Sequence, residues 1–242
     1  DLLHDAANVY IALLHETEDG TFVLVGADIS TGEAFYASYA GETAAQQILD
    51  ELYRRMVAEL LMTEGFSLKG EVCAFLTQRL PHCAVASVPA EAKDALLAQH
   101  FPAAEIPTDA GARIAVATLL GYLHDTVMAD LSQINRLSFL DTRETMQLDT
   151  YTLRNLEITR SLRDGGKKNT LFDVLDFTRT PMGTRLLKSW LEHPLLTPHR
   201  IDARLGAVAE LVENAPLRGS LREHLRSVYD FERLLTLIET QT

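Results

Sequence analysis

The chain has 242 residues, of which 47% are hydrophobic and 23% charged, a composition that excludes disordered and fibrous proteins. It lacks a signal-peptide pattern and an apolar run of the roughly 18 residues that a membrane span needs, so we expect a cytoplasmic protein with no membrane partner. The formal net charge of −12 arises in residues 1–110, which hold 5 Lys and Arg against 17 Asp and Glu, and such an acidic half is poorly suited to gripping a phosphate backbone.

The N-terminal half predicts strands first and then alternating helices and strands. Apolar, β-branched runs are joined by polar turns that contain Gly20 and Gly32, which is typical of hairpins. Three strands followed by helix, strand, helix, strand and helix predict an α/β domain with a mixed sheet covered by helices, the element order of the ribonuclease H-like fold. The predicted strands are 8–15, 21–30, 33–39, 58–62 and 84–88, and the predicted helices are 45–56, 67–80 and 90–101.

A domain border is predicted where the charge balance changes. Pro107 and Gly111 interrupt any continuing helix or strand at that point. We therefore expect one domain over 1–108 and a second over 109–242. Because the chain begins with Asp1 rather than Met and a foldable pattern starts almost at once, we also expect it to be a segment of a longer protein.

The second half predicts an all-α domain. Thr170 and Thr180 are typical N-caps, and Pro181 fits the first position of a helix. Glycines at 165 and 166 are expected to cap a preceding helix, and Trp190 is expected in the core. The predicted helices are 112–129, 150–162, 171–176, 181–191, 198–213 and 217–238 with a break about Tyr229, and a short extended stretch is predicted at 137–140.

Several of these segments together resemble a known family. Four runs in the second half carry this resemblance. In chain order they are Asn155-Leu156-Glu157, Asn169-Thr170-Leu171, Thr180-Pro181-Met182-Gly183-Thr184-Arg185-Leu186-Leu187-Lys188-Ser189-Trp190-Leu191 and Pro194-Leu195. They resemble the core domain of MutS DNA mismatch repair proteins. The run Asp28-Ile29-Ser30-Thr31-Gly32-Glu33 resembles the MutS connector domain, which is ribonuclease H-like. The motif positions to which the resemblance assigns a structural role are Asp28, Ser30, Gly32, Asn155, Glu157, Thr180, Met182, Gly183, Arg185, Trp190 and Pro194.

The resemblance implies a connector domain and the first part of a helical core, or lever, domain. The whole protein would recognise mismatched double-stranded DNA in an ATP-dependent manner, with ATP and Mg as cofactors, as a homodimer that works with MutL. This segment would relay signals between the mismatch-binding and ATPase domains and contact MutL. We expect no catalytic, cofactor or metal residues in it, because the phosphate-binding motif G-x-x-x-x-G-K-[ST] is incomplete at 161–168.

One basic segment could meet DNA. Arg160, Arg163, Lys167 and Lys168 lie within nine residues, so they could neutralise backbone phosphates and give steeply salt-dependent binding. The competing interpretation is a solvated helix end, where cations favour the negative pole of the helix dipole.

Two other functions are compatible with parts of the sequence. A ribonuclease H-like sheet could carry a two-metal nuclease, but the first predicted strand has no acid, Asp28 faces a turn, and Glu59 and Glu64 only flank the fourth strand. The second alternative is a MutS paralogue that acts in recombination. The two cysteines, Cys73 and Cys83, do not have the C-x-x-C spacing of a zinc site and do not indicate a disulfide framework.

Overall fold

The computed structural model describes residues 9–127, 131–141, 143–231 and 233–234. The described residues divide into two compact units. We call residues 9–140 the sheet unit and residues 141–231 the helical unit. The predicted order, a mixed α/β unit followed by helices, is confirmed.

One six-stranded sheet forms the centre of the sheet unit. Its strand order is β5-β4-β1-β2-β3-β6. The first three strands form an antiparallel meander, and β4, β5 and β6 each pair in parallel with a neighbour. The strands are β1 (Tyr10–Glu16), β2 (Phe22–Asp28), β3 (Glu33–Tyr39), β4 (Glu59–Thr63), β5 (Ala84–Val88) and β6 (Arg136–Phe139).

Alternation along the strands creates two apolar cores, one on each face. Ala12 and Leu14 point to one core, whereas Leu13 between them points to the other, because successive side chains of a strand lie on opposite faces. Helices α1 (Ala44–Arg55) and α2 (Lys69–Arg79) cover the first face. Helices α3 (Asp94–His100) and α4 (Ala110–Val127) cover the second.

The predicted domain border at 108 differs from the division in the structure, which falls after Leu140. The sequence pattern predicts α4 in the second domain, but its apolar stripe, which includes Val116 and Leu123, is buried against the sheet. Strand β6 then pairs with β3 and extends the same sheet. An apolar stripe shows that a helix is buried on one side and does not show which unit supplies the partner.

The helical unit contains five helices among the residues that the structure describes. They are α5 (Thr150–Asn155), α6 (Leu171–Leu175), α7 (Pro181–Glu192), α8 (Pro198–Glu213) and α9 (Ala215–Leu225). None of the described helices combines the length and apolarity that crossing a bilayer requires.

Two helix predictions in this unit were wrong in extent. The helix predicted over 150–162 ends at Asn155, and Glu157 adopts a left-handed backbone with φ of 45°. Gly165 and Gly166 therefore do not cap it. They belong to a loop closed by hydrogen bonds between Ser161 and these two glycines. The helix predicted over 217–238 with a break about Tyr229 corresponds to α9, which begins at Ala215 and ends at Leu225. The predicted break is confirmed, because residues 226–230 are not helical whereas Phe231, Arg233 and Leu234 are. Residues 232 and 235–238 lie outside the described residues.

Candidate functional site

The turn after β2 carries the first group of motif residues. Asp28 is fully buried, and its carboxylate accepts hydrogen bonds from the backbone N–H (2.8 Å) and hydroxyl (2.7 Å) of Ser30 and from the N–H of Val9 (3.3 Å). Burial raises the pKa of Asp28 above its ordinary value, although the hydrogen bonds from Ser30 oppose that shift. The carboxylate therefore stabilises this turn by accepting hydrogen bonds from it.

Gly32 completes this turn and lies against a distant loop. Its φ of +72° is a conformation that other residues rarely adopt. A Cβ atom at this position would lie 2.9 Å from the carbonyl carbon of Gln133 and closer still to its oxygen. The side chain of Gln133 donates to the carbonyl of Ile29 (3.3 Å), so the two segments are joined at two points. Only glycine permits this approach.

In the helical unit, the Asn155–Glu157 motif positions the start of α6. Asn155 is the last residue of α5 and is exposed. The carbonyl of Glu157 accepts from the N–H of Leu171 (3.1 Å), and its carboxylate accepts from the N–H of Leu162 (2.7 Å). Thr170 caps α6 by accepting from the N–H of Asp173 (3.1 Å), as its sequence predicts. The left-handed Glu157 therefore holds both ends of the intervening loop.

Helix α7 begins as predicted and is tied to the end of the unit. Thr180 Oγ1 accepts from the N–H of Gly183 (3.1 Å), with Pro181 in the first turn. Arg185 forms two hydrogen bonds with the carboxylate of Asp230, at 2.6 and 2.9 Å, and both side chains are nearly buried. Such a fork is a strong and directional pairing. It fixes the segment after α9 to α7, and no local sequence signal identifies Asp230 as the partner. Met182, next to the cap, is half-buried.

Trp190 is not the core tryptophan that the sequence predicted. The residue is 40% exposed, and the guanidinium of Arg204 from α8 lies 3.7 Å from the ring centroid. Burial, followed by the charge of Arg200, lowers the pKa of Arg204. A helical pattern identifies the apolar side of α7, but it cannot show that the stacking partner is a cation rather than another apolar side chain.

The Pro194 segment pairs with the chain that leads into the helical unit. The carbonyl of Pro194 accepts from the N–H of Met146 (2.7 Å), and the N–H of Leu196 donates to the carbonyl of Glu144 (3.0 Å). Arg200 forms an ion pair with the Glu144 side chain. The proline thus ends α7 and begins a short antiparallel bridge.

The predicted basic segment is divided by the structure. Lys167 forms an ion pair with Asp176 (2.5 Å) and lies over the ring of Phe172. Burial opposes the shift, but hydrogen bonds from Lys167 and Thr178 hold the pKa of Asp176 below its ordinary value. The remaining three members are Arg160, which is half-buried, and Arg163 and Lys168, which are exposed.

Helix α8 presents an apolar stripe that the helical unit does not cover. None of its residues is buried. The stripe follows the i, i+4, i+7, i+11 spacing of one helix face. Its members are Ile201, Leu205, Val208 and Val212, which are between 36% and 65% exposed.

Neither a metal centre nor a nucleotide cradle is built from the described residues. They contain no cluster of three or more His, Cys, Asp or Glu side chains that could hold a metal ion. The glycine-lysine loop at 165–168 does not fit a nucleotide phosphate, because Lys167 is held by Asp176 and the first-turn N–H groups of Leu171 and Asp173 donate to Glu157 and Thr170.

Comparison with known proteins assigns this architecture to a family. Residues 151–242 match the family model MutS domain III. The chain is 38% identical to the DNA mismatch repair protein MutS of Pelotomaculum thermopropionicum and 37% identical to that of Symbiobacterium thermophilum, each over 96% of this chain. The MutS of Methanosarcina acetivorans is 34% identical over 97% of it.

The chain belongs to the MutS family. The recognition made from its motifs is therefore confirmed. The chain spans only 27% to 28% of the length of these three MutS relatives. The domain III match begins one residue into α5 and includes every motif position from Asn155 to Pro194. The nearly buried Arg185–Asp230 pair and the Trp190–Arg204 stack lie within it.

Proposed function

We propose that this MutS-family chain is the scaffold that joins the mismatch-reading and ATP-hydrolysing parts of a mismatch repair protein and that it contacts MutL. The observation that carries the proposal is the similarity to proteins named DNA mismatch repair protein MutS over nearly the whole chain. These names favour mismatch correction over the alternative of a recombination paralogue. In this proposal the sheet unit is the connector and the helical unit is the first part of the core.

The connector assignment includes a ribonuclease H-like fold for the sheet unit. Its support is the order β5-β4-β1-β2-β3 with an antiparallel meander and two parallel strands. The expectation that the first strand has no acid was wrong, because β1 extends one residue further and ends with Glu16. The nuclease alternative still lacks support, because the Glu16 carboxylate accepts from the N–H of Ser67 (2.7 Å) and Asp28 directs its carboxylate into its own turn. The sheet serves as a rigid body in this proposal.

The helical unit has the properties of a lever. A relay between distant sites requires elements that move as rigid pieces between two arrangements. The Arg185–Asp230 fork, which is nearly buried, and the Glu157-centred loop supply such stiffness through directional hydrogen bonds. Charged groups held in this way are costly to separate, since each would remain desolvated without its partner.

The uncovered stripe of α8 supports a role inside a larger protein. Full burial of an aliphatic side chain contributes about 1.5 to 3 kcal/mol to the free energy of folding. The four side chains of the stripe are only partly buried, so much of this stabilisation is not realised in the described residues. Exposed apolar patches of this kind mark interaction surfaces. We propose that further parts of the whole MutS-type protein, including its ATP and Mg site and a second subunit, complete the function.

DNA contact by the basic segment is a minor part of the proposal. Lys167 is committed to Asp176, so the exposed Arg163 and Lys168 are the members best placed for phosphate. Two such contacts produce only weak, salt-sensitive binding. We expect this chain to bind mismatched and matched duplexes equally.

Calorimetry tests the proposal. The chain is titrated with the N-terminal region of the cognate MutL and, in parallel, with a mismatched duplex and its matched control. Saturable MutL binding together with weak, salt-labile and mismatch-indifferent DNA binding is the expected result. Tight mismatch-selective DNA binding without MutL contact would overturn the scaffold assignment.

A further inference from the structure

Two histidines on neighbouring helices contact each other on the second face of the sheet. His100 is the last residue of α3, and His124 lies in the last turn of α4. Their Nε2 atoms are 2.8 Å apart, and the other ring nitrogen of His100, Nδ1, lies 2.9 Å from the carbonyl oxygen of Ile134. The pair therefore joins three segments, which are α3, α4 and residues 131–135. We call the two side chains and the Ile134 carbonyl the histidine latch.

The hydrogen-bond partners fix where the protons lie when both rings are neutral. A carbonyl oxygen only accepts, so Nδ1 of His100 carries a hydrogen and donates it to Ile134. A neutral imidazole carries one such hydrogen, so Nε2 of His100 is an acceptor and Nε2 of His124 is the donor. One proton therefore lies between the two Nε2 atoms.

The two rings face each other nearly end to end. Their centroids are 5.1 Å apart, which is close to the largest separation that two imidazoles with nitrogens 2.8 Å apart can have. Both nitrogens therefore lie near the line that joins the centroids, a geometry that suits a single shared proton. A zinc ion bound at about 2.0 to 2.1 Å by each ring would require the nitrogens to move apart or to turn towards a common point.

A first and a second added proton have different effects on the latch. The first can enter at Nδ1 of His124, because the charged ring still donates through Nε2 to His100. The second must enter at Nε2 of His100, since Nδ1 of that ring already carries a hydrogen. Two N–H groups and two positive charges would then face each other, and like charges this close oppose that state. The closed latch accepts one added proton and excludes a second.

The charged groups on the surrounding elements either have partners or are exposed. Those with partners are Glu91 with Lys93, Asp94 with Arg113, Glu59 with Tyr122, and Glu105 with the N–H of Leu137. Asp125, next to His124, and Arg136, at the start of β6, are exposed, so salt screens their effect on the rings. The contact between the two histidines is therefore the main electrostatic interaction of the latch.

The segment held by the latch is otherwise anchored by apolar contacts and by its own turn. Leu131 and Ile134 are fully buried in the second apolar core. The N–H of Ile134 donates to the carbonyl of Leu131 (2.9 Å). Residues 131–135 lead directly into β6, which is the last strand before the helical unit in the chain. The protection of the Ile134 amide from exchange therefore reports whether this segment is closed.

We propose that the histidine latch is a pH-sensitive device that holds residues 131–135 against α3 and α4 and opens when both rings are charged. An open form takes up two protons near the ordinary histidine value of about 6.5, whereas the closed form takes up one. Because the open form binds more protons, the closed form loses stability as the pH falls. This inference goes beyond the proposed scaffold function and does not depend on it.

The test uses the 242-residue chain labelled with 15N in its histidine rings. Long-range proton–nitrogen spectra, recorded from about pH 7.5 to about pH 5, show which nitrogen of each ring carries a hydrogen. Amide hydrogen exchange, corrected for the intrinsic effect of pH, gives the protection of the Ile134 N–H. The test variant is His124→Gln, whose amide can turn to donate or to accept. The matched control is His82→Gln, which alters an exposed histidine.

We expect hydrogen on Nδ1 of His100 and on Nε2 of His124 at neutral pH, and uptake of the second proton only as the Ile134 amide loses protection. That protection should fall about tenfold per pH unit below about pH 6, because the open form binds one proton more than the closed form. His124→Gln should remove this pH dependence, since its amide can pair with either form of His100. His82→Gln should preserve it.

The proposal is overturned if both rings of the pair become charged with no loss of Ile134 protection, an outcome that the unaltered chain decides without any variant. It is also overturned if His124→Gln keeps the pH dependence in a chain that circular dichroism shows to be folded. A third contrary result is that zinc ions alone shift both rings and raise the protection at neutral pH, because the pair would then be a metal chelate and not a proton-sharing latch.

Discussion

The contact between Gly32 and the Gln133 loop leads to a sharp prediction about stability. In Gly32→Ala the new methyl group would clash with the backbone of Gln133. The Gln133 loop cannot move away easily, because the next residue, Ile134, is fully buried. The backbone at position 32 is also left-handed, with φ of +72°. The substitution therefore combines a conformational cost with a steric one.

Each cost has its own magnitude and control. A left-handed backbone costs a residue with a Cβ about 1 to 2 kcal/mol, and overpacking a filled site costs about 1 to 3 kcal/mol more. Gly20→Ala is the matched control, since Gly20 has a φ of +78° in a turn of the same sheet unit but nothing within 4 Å of an added Cβ. We expect Gly32→Ala to lose about 2 to 5 kcal/mol and Gly20→Ala only about 1 to 2 kcal/mol.

Urea unfolding followed by far-UV circular dichroism measures both losses. Trp190 is the single tryptophan and lies in the helical unit, so its fluorescence follows that unit separately. Equal losses of the free energy of unfolding in the two alanine variants would show that the contact with Gln133 contributes nothing and would refute this prediction.

Three further predictions concern the other motif residues. Arg185→Ala should lower the free energy of unfolding by about 3 to 5 kcal/mol, because it leaves Asp230 desolvated without its partner. In urea unfolding, the double variant with Asp230→Ala should lose less than the sum of the two single variants, and additive losses would contradict a coupled pair. Asp28→Asn should gain stability relative to the unaltered chain as the pH rises above about 4. The pKa of Asp28 is raised in the folded chain, so the folded form retains a proton that the unfolded chain has lost, and the unaltered chain loses stability as this proton leaves. Urea midpoints of the two chains that change in parallel across this pH range would contradict the prediction. Trp190→Ala should cost about 1 to 2 kcal/mol by circular dichroism, since the ring is 40% exposed and stacks on Arg204; a loss of the size seen at fully buried tryptophans would show that the ring is covered.

The elements that depend on local signals were predictable from the sequence. The strands joined at Gly20 and Gly32 and the caps at Thr170 and Thr180 were recognised because turn and cap residues act on their immediate neighbours. The early end of α5 was not recognised, since Glu157 adopts its left-handed backbone only in combination with bonds to Leu171 and Leu162.

Choices between distant partners were not predictable. Helix α4 has the apolar stripe that the sequence predicts, but the sheet and not the helical unit buries it. The pairing of Arg185 with Asp230 spans 45 residues, and many carboxylates could have served equally well in the sequence. The stacking of Arg204 on Trp190 likewise depends on how α7 and α8 meet.

The measurement that tests the scaffold assignment most directly is made in the whole MutS-type protein of which this chain resembles a part. The affinity for a mismatched duplex is determined with and without ATP, for the unaltered protein and for Arg185→Ala, at a temperature where circular dichroism shows both fully folded. The ratio of the two affinities reports the coupling free energy between the sites. The scaffold account predicts that Arg185→Ala moves this ratio towards one while duplex binding without nucleotide is retained. An unchanged ratio would contradict the proposal that the helical unit transmits the signal.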